Sequence, residues 1–310
     1  MTSLGPDSPP SARQPAPSPT AGAPLSAGVG HYENFPVASW LCPPALRPAV
    51  VALYHFARTA DDLADEGDMS TSDRLAQLAA YRQALDRCLA GQTHAAAWPQ
   101  VFGPLAQAVH THALPAPLLH DLISAFEQDV RHTAAGYVYA DSAELLAYCR
   151  LSANPVGRLL LHLYGIADAP SQVQSDAVCS ALQLINFWQD IGRDLPQGRC
   201  YLPQDLLSQH GLSVDDFHHR PDHTEREARL DAPRRALVQA LCTHARELML
   251  KGAPLVHRLP GRGGWELRAV VQGGLRVLDH IAAIDHRSWA TRVTVGRRDL
   301  PLVVWRCLRM

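Results

Sequence analysis

Apolar residues recur at helical spacing along almost the whole chain from about Pro44 onward, and this pattern constrains the fold more than any other feature. Alanine and leucine dominate, and no alternating segment between turn residues resembles a β-strand. Asn154-Pro155 should interrupt a helix, because proline disfavours helical geometry in the residue before it. The predicted helices span about 44–64, 71–90, 98–112, 116–132, 141–151, 155–166, 171–195, 203–209, 226–258 and 265–288. We therefore predict a single all-α domain.

The two ends of the chain differ from this helical part. Residues 1–30 are mainly proline, serine, alanine and glycine, which cannot bury enough surface to offset their ordering entropy. We predict a disordered tail over 1–30 and a folded domain over 31–300 that starts near His31. The chain ends in LPLVVWRCLRM, which mixes apolar and basic residues, and we assign 301–310 as a separate C-terminal segment. That composition fits docking on the core and fits contact with a membrane equally well.

Charge, cysteine content and hydropathy exclude several classes of protein. A formal net charge of −2 offers no basic surplus for a nucleic acid backbone. The seven cysteines are scattered without a CxxC pair, which predicts reduced thiols and a cytoplasmic location. No apolar run reaches the ~18–20 residues that cross a bilayer, so only peripheral membrane contact is compatible with the sequence.

The segment HFARTADDLADEG, residues 55–67, places four acids at the end of a markedly apolar helix. These are Asp61, Asp62, Asp65 and Glu66. Buried carboxylates are costly unless they are paired or bind a metal. The acids therefore either face water where the helix ends, or they form a cation site.

A second apolar helix, LQLINFWQDIGRD, repeats the spacing of the first with Asp190 and Asp194. Residues four apart lie on one helical face, so both carboxylates can reach one cation, and Gln183 and Asn186 extend the same polar stripe. Carboxylate oxygens suit Mg²⁺, which commonly bridges protein acids and substrate phosphates. The two pairs together predict a Mg²⁺-dependent diphosphate clamp.

Two arginines are placed to add positive charge to this clamp. Arg58 lies one turn before Asp61, and Arg193 directly precedes Asp194. For Arg58 a plain salt bridge to Asp61 or Asp62 explains the spacing as well as a contact to diphosphate does.

YHFARTADDLADEG and QLINFWQDIGRDLPQGRCYLP resemble the two aspartate-rich signatures of the squalene/phytoene synthase family of head-to-head prenyl transferases. The segment YCRLSANPVGRLLLHLYG resembles the family's broken central helix pair, and the likeness covers about residues 31–300. HYENFPVASWLCP and GGLRVLDHI resemble the hydroxysqualene synthase branch of hopanoid biosynthesis. The resemblance implies the isoprenoid synthase fold, a single helical domain around a central apolar cavity.

The resemblance also implies roles for particular residues. The Mg²⁺ ligands would be Asp61, Asp65, Asp190 and Asp194, with Asp62 as a contributor. The residues around the substrate would be Tyr54, Arg58, Gln183, Asn186, Arg193, Arg199 and Tyr201. Tyr148 matches a cavity tyrosine near the reacting carbons. Many members of the family carry a diphosphate-binding lysine after the N-terminal histidine, where this chain has Glu33-Asn34-Phe35.

The resemblance implies Mg²⁺-dependent conversion of presqualene diphosphate to hydroxysqualene, in which water captures the carbocation. It also implies partner enzymes that catalyse the preceding and the following step of the pathway. The missing lysine favours an enzyme that receives one preformed diphosphate over an enzyme that joins two prenyl diphosphates. No NADPH is expected, because no GxGxxG follows a strand. The alternatives are a presqualene diphosphate, squalene or phytoene synthase, a class I terpene cyclase that uses DDLAD with Asn186, Asp190 and Asp194, and a non-catalytic assembly factor.

Overall fold

The structure is a computed structural model that describes residues 41–92, 97–218 and 224–310, with the side chain of Thr224 left out. The described residues do not include the predicted tail over 1–30, His31 or Glu33-Asn34-Phe35, so the predicted domain limits stay predictions. They also do not include His219 and His223, which lie between the helices predicted at 203–209 and 226–258. Across the described ranges the chain is helical without a β-strand, which confirms the all-α class. No helix in those ranges combines the length and apolarity needed to cross a membrane.

Eleven α-helices are described, in an order close to the predicted one. They are α1 (Arg47–Asp65), α2 (Thr71–Leu89), α3 (Pro99–His112), α4 (Ala116–Ala135), α5 (Ser142–Ser152), α6 (Asn154–Leu163), α7 (Ala169–Asp194), α8 (Gln204–Gln209), α9 (Thr224–Gly252), α10 (Arg262–Ala283) and α11 (Leu300–Leu308). Short 3₁₀ turns cover Leu195–Gln197, Val214–Phe217, Ala253–His257 and Arg297–Asp299.

The helix ends follow from local chemistry. Ser70 caps α2 by accepting a hydrogen bond from the Asp73 backbone N–H at 3.2 Å, which is a common role of serine at a helix N-terminus. The predicted break at Asn154-Pro155 separates α5 from α6, and the buried Asn154 accepts a hydrogen bond from the Ser180 hydroxyl at 3.0 Å. This bond fixes the interrupted pair against α7.

Three predictions of helix extent are wrong. The helix predicted over 226–258 becomes 3₁₀ after Gly252, since the next residue precedes Pro254. The helix predicted to reach 288 ends at Ala283, because Asp285 and His286 adopt left-handed backbone angles with φ of 58° and 60°. Helix α11 was not predicted at all.

The buried apolar residues form two hydrophobic clusters. The first core surrounds α1, α2 and α3 and includes Phe56, Tyr81 and Leu105, all fully buried. The second core surrounds α7, α9 and α10 and includes Trp188 and Met249. The first acidic motif ends a helix of the first core, and the second acidic motif ends a helix of the second core. All seven cysteines are free, as predicted.

Candidate active site

The acids of the first motif gather around Arg58. Its guanidinium lies 2.8 Å from Asp61 Oδ2, 2.6 Å from Asp62 Oδ1 and 2.9 Å from Glu66 Oε1. The structure therefore shows the salt bridge considered for Arg58. Its contact to diphosphate, and a metal contact by Asp62, stay predictions.

Arg199 joins the two acidic motifs. Its guanidinium pairs with Asp65 at the end of α1 and lies 3.4 Å from Asp194 Oδ1 at the end of α7. The two carboxylates therefore meet around one cation, although they belong to different hydrophobic cores. This convergence is the geometry expected of a clamp.

The loop that carries Arg199 is fixed by backbone hydrogen bonds. The Arg199 N–H donates to the Asp194 carbonyl at 3.0 Å, and Val138 and Cys200 form an isolated parallel bridge. Further along, the Gln204 N–H donates to the Tyr139 carbonyl at 2.9 Å. These bonds hold Arg199 and its neighbour Tyr201 at the end of α7.

Asp190 is paired with Arg292, a residue that the sequence reasoning missed. Arg292 follows α10 in the non-helical segment 288–296, which begins with a turn and lies across the end of α7. Gln189 donates to the Val293 carbonyl and fixes the same segment. No local motif marks Arg292, since its position depends on contacts between residues far apart in the chain.

Gly192 allows this close crossing. A Cβ at Gly192 would lie 3.1 Å from the carbonyl carbon of Trp289 and nearer still to its oxygen. A methyl group cannot fit there without moving the backbone. The glycine of the QDIGRD motif is therefore required by the segment that carries Arg292.

Asp129 on α4 is a second residue that the sequence reasoning missed. Tyr148 donates a hydrogen bond to its Oδ2, and the Tyr201 hydroxyl lies 3.4 Å from its Oδ1. Burial raises the pKa of Asp129 to about 7, despite the lowering effect of the hydrogen bond from Tyr148. The structure thus brings the predicted Tyr148 and Tyr201 together on one buried carboxyl group.

An aromatic wall adjoins this carboxyl group. The ring of Tyr201 stacks on Phe187 of α7 with centroids 3.7 Å apart, and the ring of Tyr148 lies 6.2 Å from that of Tyr201. Burial, followed by the charge of Asp129, raises the pKa of Tyr148 well above its usual value. Tyr148 therefore keeps its proton and acts as a donor.

The remaining predicted site residues lie on α1 and α7 near the two acidic motifs. Gln183 is half-buried and Asn186 is exposed, both on the face of α7 that leads to Asp190. Arg193 is exposed beside Asp194, and Tyr54 is half-buried one turn before Arg58. Their assigned roles stay predictions.

Burial raises the pKa of two of these acids, Asp61 and Asp194. Burial, and then the neighbouring Asp65, raise the pKa of Asp61 to about 6, even though 38% of its side chain is exposed. Burial raises the pKa of Asp194 to about 6, against the lowering effect of Arg199. A divalent cation would relieve both shifts, because it favours the ionised carboxylates.

The donor set fits Mg²⁺ in a bridging role. Among the described side chains, no group of three or more His, Cys, Asp and Glu is arranged to hold a metal ion alone. Mg²⁺ is usually held by one or two carboxylates together with substrate phosphates and water. Two acid pairs on opposite helices meet that requirement without a preformed cage.

Two small pockets flank Arg199 and Tyr201. One is lined by Phe187, Ile191 and Asp194 among others, the second reaches Asp129, and each has a cavity volume of about 10 Å³. Both are smaller than the roughly 300–1,000 Å³ of typical ligand sites. The predicted central cavity for a long hydrocarbon therefore stays a prediction.

Comparison with known proteins shows which family this chain resembles. The sequence model of squalene/phytoene synthases matches residues 29–299. A hydroxysqualene synthase of Zymomonas mobilis is 39% identical over 199 residues, which are 63% of this chain and 63% of that protein. A presqualene diphosphate synthase of the same organism is 31% identical over 186 residues, covering 59% of this chain and 60% of that protein. The match thus spans less than two thirds of either relative.

A solved structure supports the fold independently. The crystal structure of squalene synthase HpnC from Alicyclobacillus acidocaldarius superposes with a TM-score of 0.71 at 36% identity. The superposition covers 83% of this chain and 90% of that one. The predicted isoprenoid synthase fold is thereby confirmed.

Proposed function

The chain belongs to the squalene/phytoene synthase family, and we propose that it is a hydroxysqualene synthase that converts presqualene diphosphate to hydroxysqualene and diphosphate. The observation that carries the diphosphate chemistry is the meeting of Asp65 and Asp194 around Arg199. The choice of substrate is supported by the higher identity to the hydroxysqualene synthase than to the presqualene diphosphate synthase of one organism. The reaction lies between enzymes that make the cyclopropyl diphosphate and enzymes that consume the alcohol.

At the diphosphate end, the four carboxylates of Asp61, Asp65, Asp190 and Asp194 would hold Mg²⁺. The metal would supply Lewis acid stabilisation of the departing diphosphate. Arg58, Arg199 and Arg292 pair with the same carboxylates. These arginines would bind the diphosphate oxygens, where negative charge develops in the transition state.

At the hydrocarbon end, the aromatic wall encloses the cation left by ionisation. The ring faces of Tyr148, Phe187 and Tyr201 stabilise positive charge and offer no strong nucleophile. The Tyr148 hydroxyl donates to Asp129, so its oxygen lone pairs remain available to orient a water molecule.

The bonds and protons that change during water capture can be accounted for by water, Tyr148 and Asp129. A C–O bond forms between the cation and the water oxygen, and one water O–H bond breaks. That proton passes to the Tyr148 oxygen as Tyr148 transfers its own proton to the Asp129 carboxylate. A carboxyl group whose pKa lies at about 7 can accept this proton and release it before the next turnover.

A product assay tests the proposal. The purified chain with Mg²⁺ is given farnesyl, geranylgeranyl or presqualene diphosphate, with and without NADPH, in ¹⁸O-labelled water. We expect labelled hydroxysqualene from presqualene diphosphate without NADPH. Squalene formed only with NADPH would favour the activity named for the HpnC structure, and a cyclic C15 product from farnesyl diphosphate would show a terpene cyclase. Either result would overturn the proposal.

Matched variants locate the chemistry. Asp61→Asn and Asp190→Asn should lose nearly all turnover while circular dichroism stays unchanged. Asp68→Asn, an exposed acid just beyond α1, should retain activity. Near-native turnover in either of the first two variants would contradict the clamp. The cytoplasmic location stays a proposal.

A further inference from the structure

Helix α11 presents an apolar face to the outside of the protein. The exposed fractions are 54% for Leu300, 56% for Val304, 49% for Trp305 and 65% for Leu308. Positions 300, 304 and 308 repeat every four residues, and 305 lies beside them, so these side chains share one face. An exposed contiguous apolar face of this kind marks an interaction surface.

The opposite face of α11 is fixed to α10 by charged side chains. Arg306 lies 2.7 Å from Asp279, and Asp299, just before the helix, lies 2.7 Å from Arg276 and 2.9 Å from His280. Val303 and Cys307 are buried on this inner face as well, so α11 carries apolar side chains on both its inner and its outer side. The helix is therefore held in an orientation that leaves a second apolar face exposed, where a surface helix usually presents polar side chains.

Arginines surround the exposed apolar residues. The guanidinium of Arg309 lies 4.1 Å from the ring centroid of Trp305. Arg297 and Arg298 are exposed at the start of the helix. Apolar and aromatic side chains bordered by arginine match the boundary between lipid headgroups and acyl chains.

Trp265 extends the same surface from α10. It is 43% exposed, and the guanidinium of Arg268 lies 4.5 Å from its ring centroid. Arg268 also lies 3.5 Å from the Cys307 carbonyl of α11, which places the two tryptophan-bearing segments side by side. A second cation-bordered indole ring makes a lipid interface a better match than a protein groove.

We propose that this α11 surface, formed by Leu300, Val304, Trp305, Leu308 and Trp265 with its bordering arginines, docks on the headgroup region of an anionic lipid bilayer. The contact is peripheral, because the exposed apolar face is only three turns long. Arg292, which pairs with Asp190, is eight residues before Leu300, so at most about 28 Å of chain separates the two. The docked face and the candidate active site are thus directly connected in the chain.

Vesicle flotation of the full-length protein tests the proposal without any turnover. The probes are vesicles of phosphatidylcholine alone and of phosphatidylcholine with phosphatidylglycerol. We expect binding to the anionic vesicles that weakens with added salt. A Trp305→Glu variant should lose binding, and Arg297→Gln/Arg298→Gln should weaken it by about 25-fold, at roughly fivefold for each arginine.

Val173→Glu is the matched control. Val173 is 53% exposed on α7, so the variant introduces the same charge at an unrelated exposed apolar position. It should bind vesicles like the parent, and all variants should keep the parental melting temperature. The proposal is overturned if the parent ignores anionic vesicles at low salt, or if Val173→Glu binds as poorly as the α11 variant. It is also overturned if the α11 variant instead abolishes a dimer in vesicle-free solution, since the surface would then join two copies of the chain.

Discussion

Replacing Gly192 with alanine should disturb the candidate active site through the backbone. The glycine lies between Asp190 and Asp194, where the segment that carries Arg292 crosses α7. The added Cβ would lie 3.1 Å from the Trp289 carbonyl carbon and nearer to its oxygen. Backbone atoms cannot rotate out of the way as a side chain can, so the segment has to shift.

The expected magnitude follows from two opposing effects. Overpacking costs about 1–3 kcal/mol. Alanine regains about 0.5–1 kcal/mol over glycine within a helix. The net loss of about 1 kcal/mol, within a range of about 0–2.5 kcal/mol, should lower the melting temperature by roughly 2 °C in a protein of this size. Displacing Arg292 from Asp190 should reduce turnover by about 10- to 100-fold, because small misplacements of a charged group are costly in catalysis.

The assay pairs thermal melting with turnover of presqualene diphosphate, and Gly296→Ala is the control. Gly296 ends the same segment, has a φ of −120°, and would place its Cβ with nothing within 4 Å. That substitution should be neutral or stabilise by about 0.4–1 kcal/mol. If Gly192→Ala melts and turns over like the parent, the close crossing at Trp289 is wrong.

Three further outcomes are expected. Asp129→Asn should lower kcat with little change in KM. The parent's kcat should rise with pH around pH 7 as Asp129 ionises, and the variant should lack this rise. An unchanged pH profile in the variant would show that Asp129 is not on the proton path. Arg199→Gln should tighten binding of Mg²⁺ alone and weaken binding of inorganic diphosphate in calorimetry, because Asp65 and Asp194 lose their shared cation; two changes of the same sign would contradict this. Asp129, with a pKa of about 7 against about 3.9 when unfolded, binds more protons in the folded state, so its own contribution to stability should fall by up to about 4 kcal/mol as pH rises from 4 to 7. A difference in melting temperature between the parent and Asp129→Asn that stays constant from pH 5 to 8 would refute that account.

The helices around the site were predictable because their signals are local. The Ser70 cap, the Asn154-Pro155 break and the acid spacing in α1 and α7 each depend on a few neighbouring residues. Helix α11 escaped prediction because its exposed Leu300, Val304 and Leu308 are apolar just as its buried Val303 and Cys307 are, so it lacks the one-sided apolar stripe that identifies surface helices.

The site was only partly predictable for a different reason. Asp129 lies in the polar stretch EQDVRHT and resembles a solvent-facing acid, and its importance comes from burial beneath Tyr148 and Tyr201. Arg292 reaches Asp190 across about a hundred residues of chain, so only the packed structure reveals the pair. The acid motifs themselves are visible because each one is compact in sequence.

The separation of the two hydrophobic cores has a consequence for how the protein responds to its substrate. Each core supplies one pair of carboxylates, and Arg199 bridges them at the candidate active site. A bound metal diphosphate would act as a cross-link between α1 and α7, two helices that pack in different cores. Substrate should therefore suppress separation of α1 from α7 more than unfolding within either core, and a loosened helix in one core should weaken substrate binding without altering any residue that contacts it.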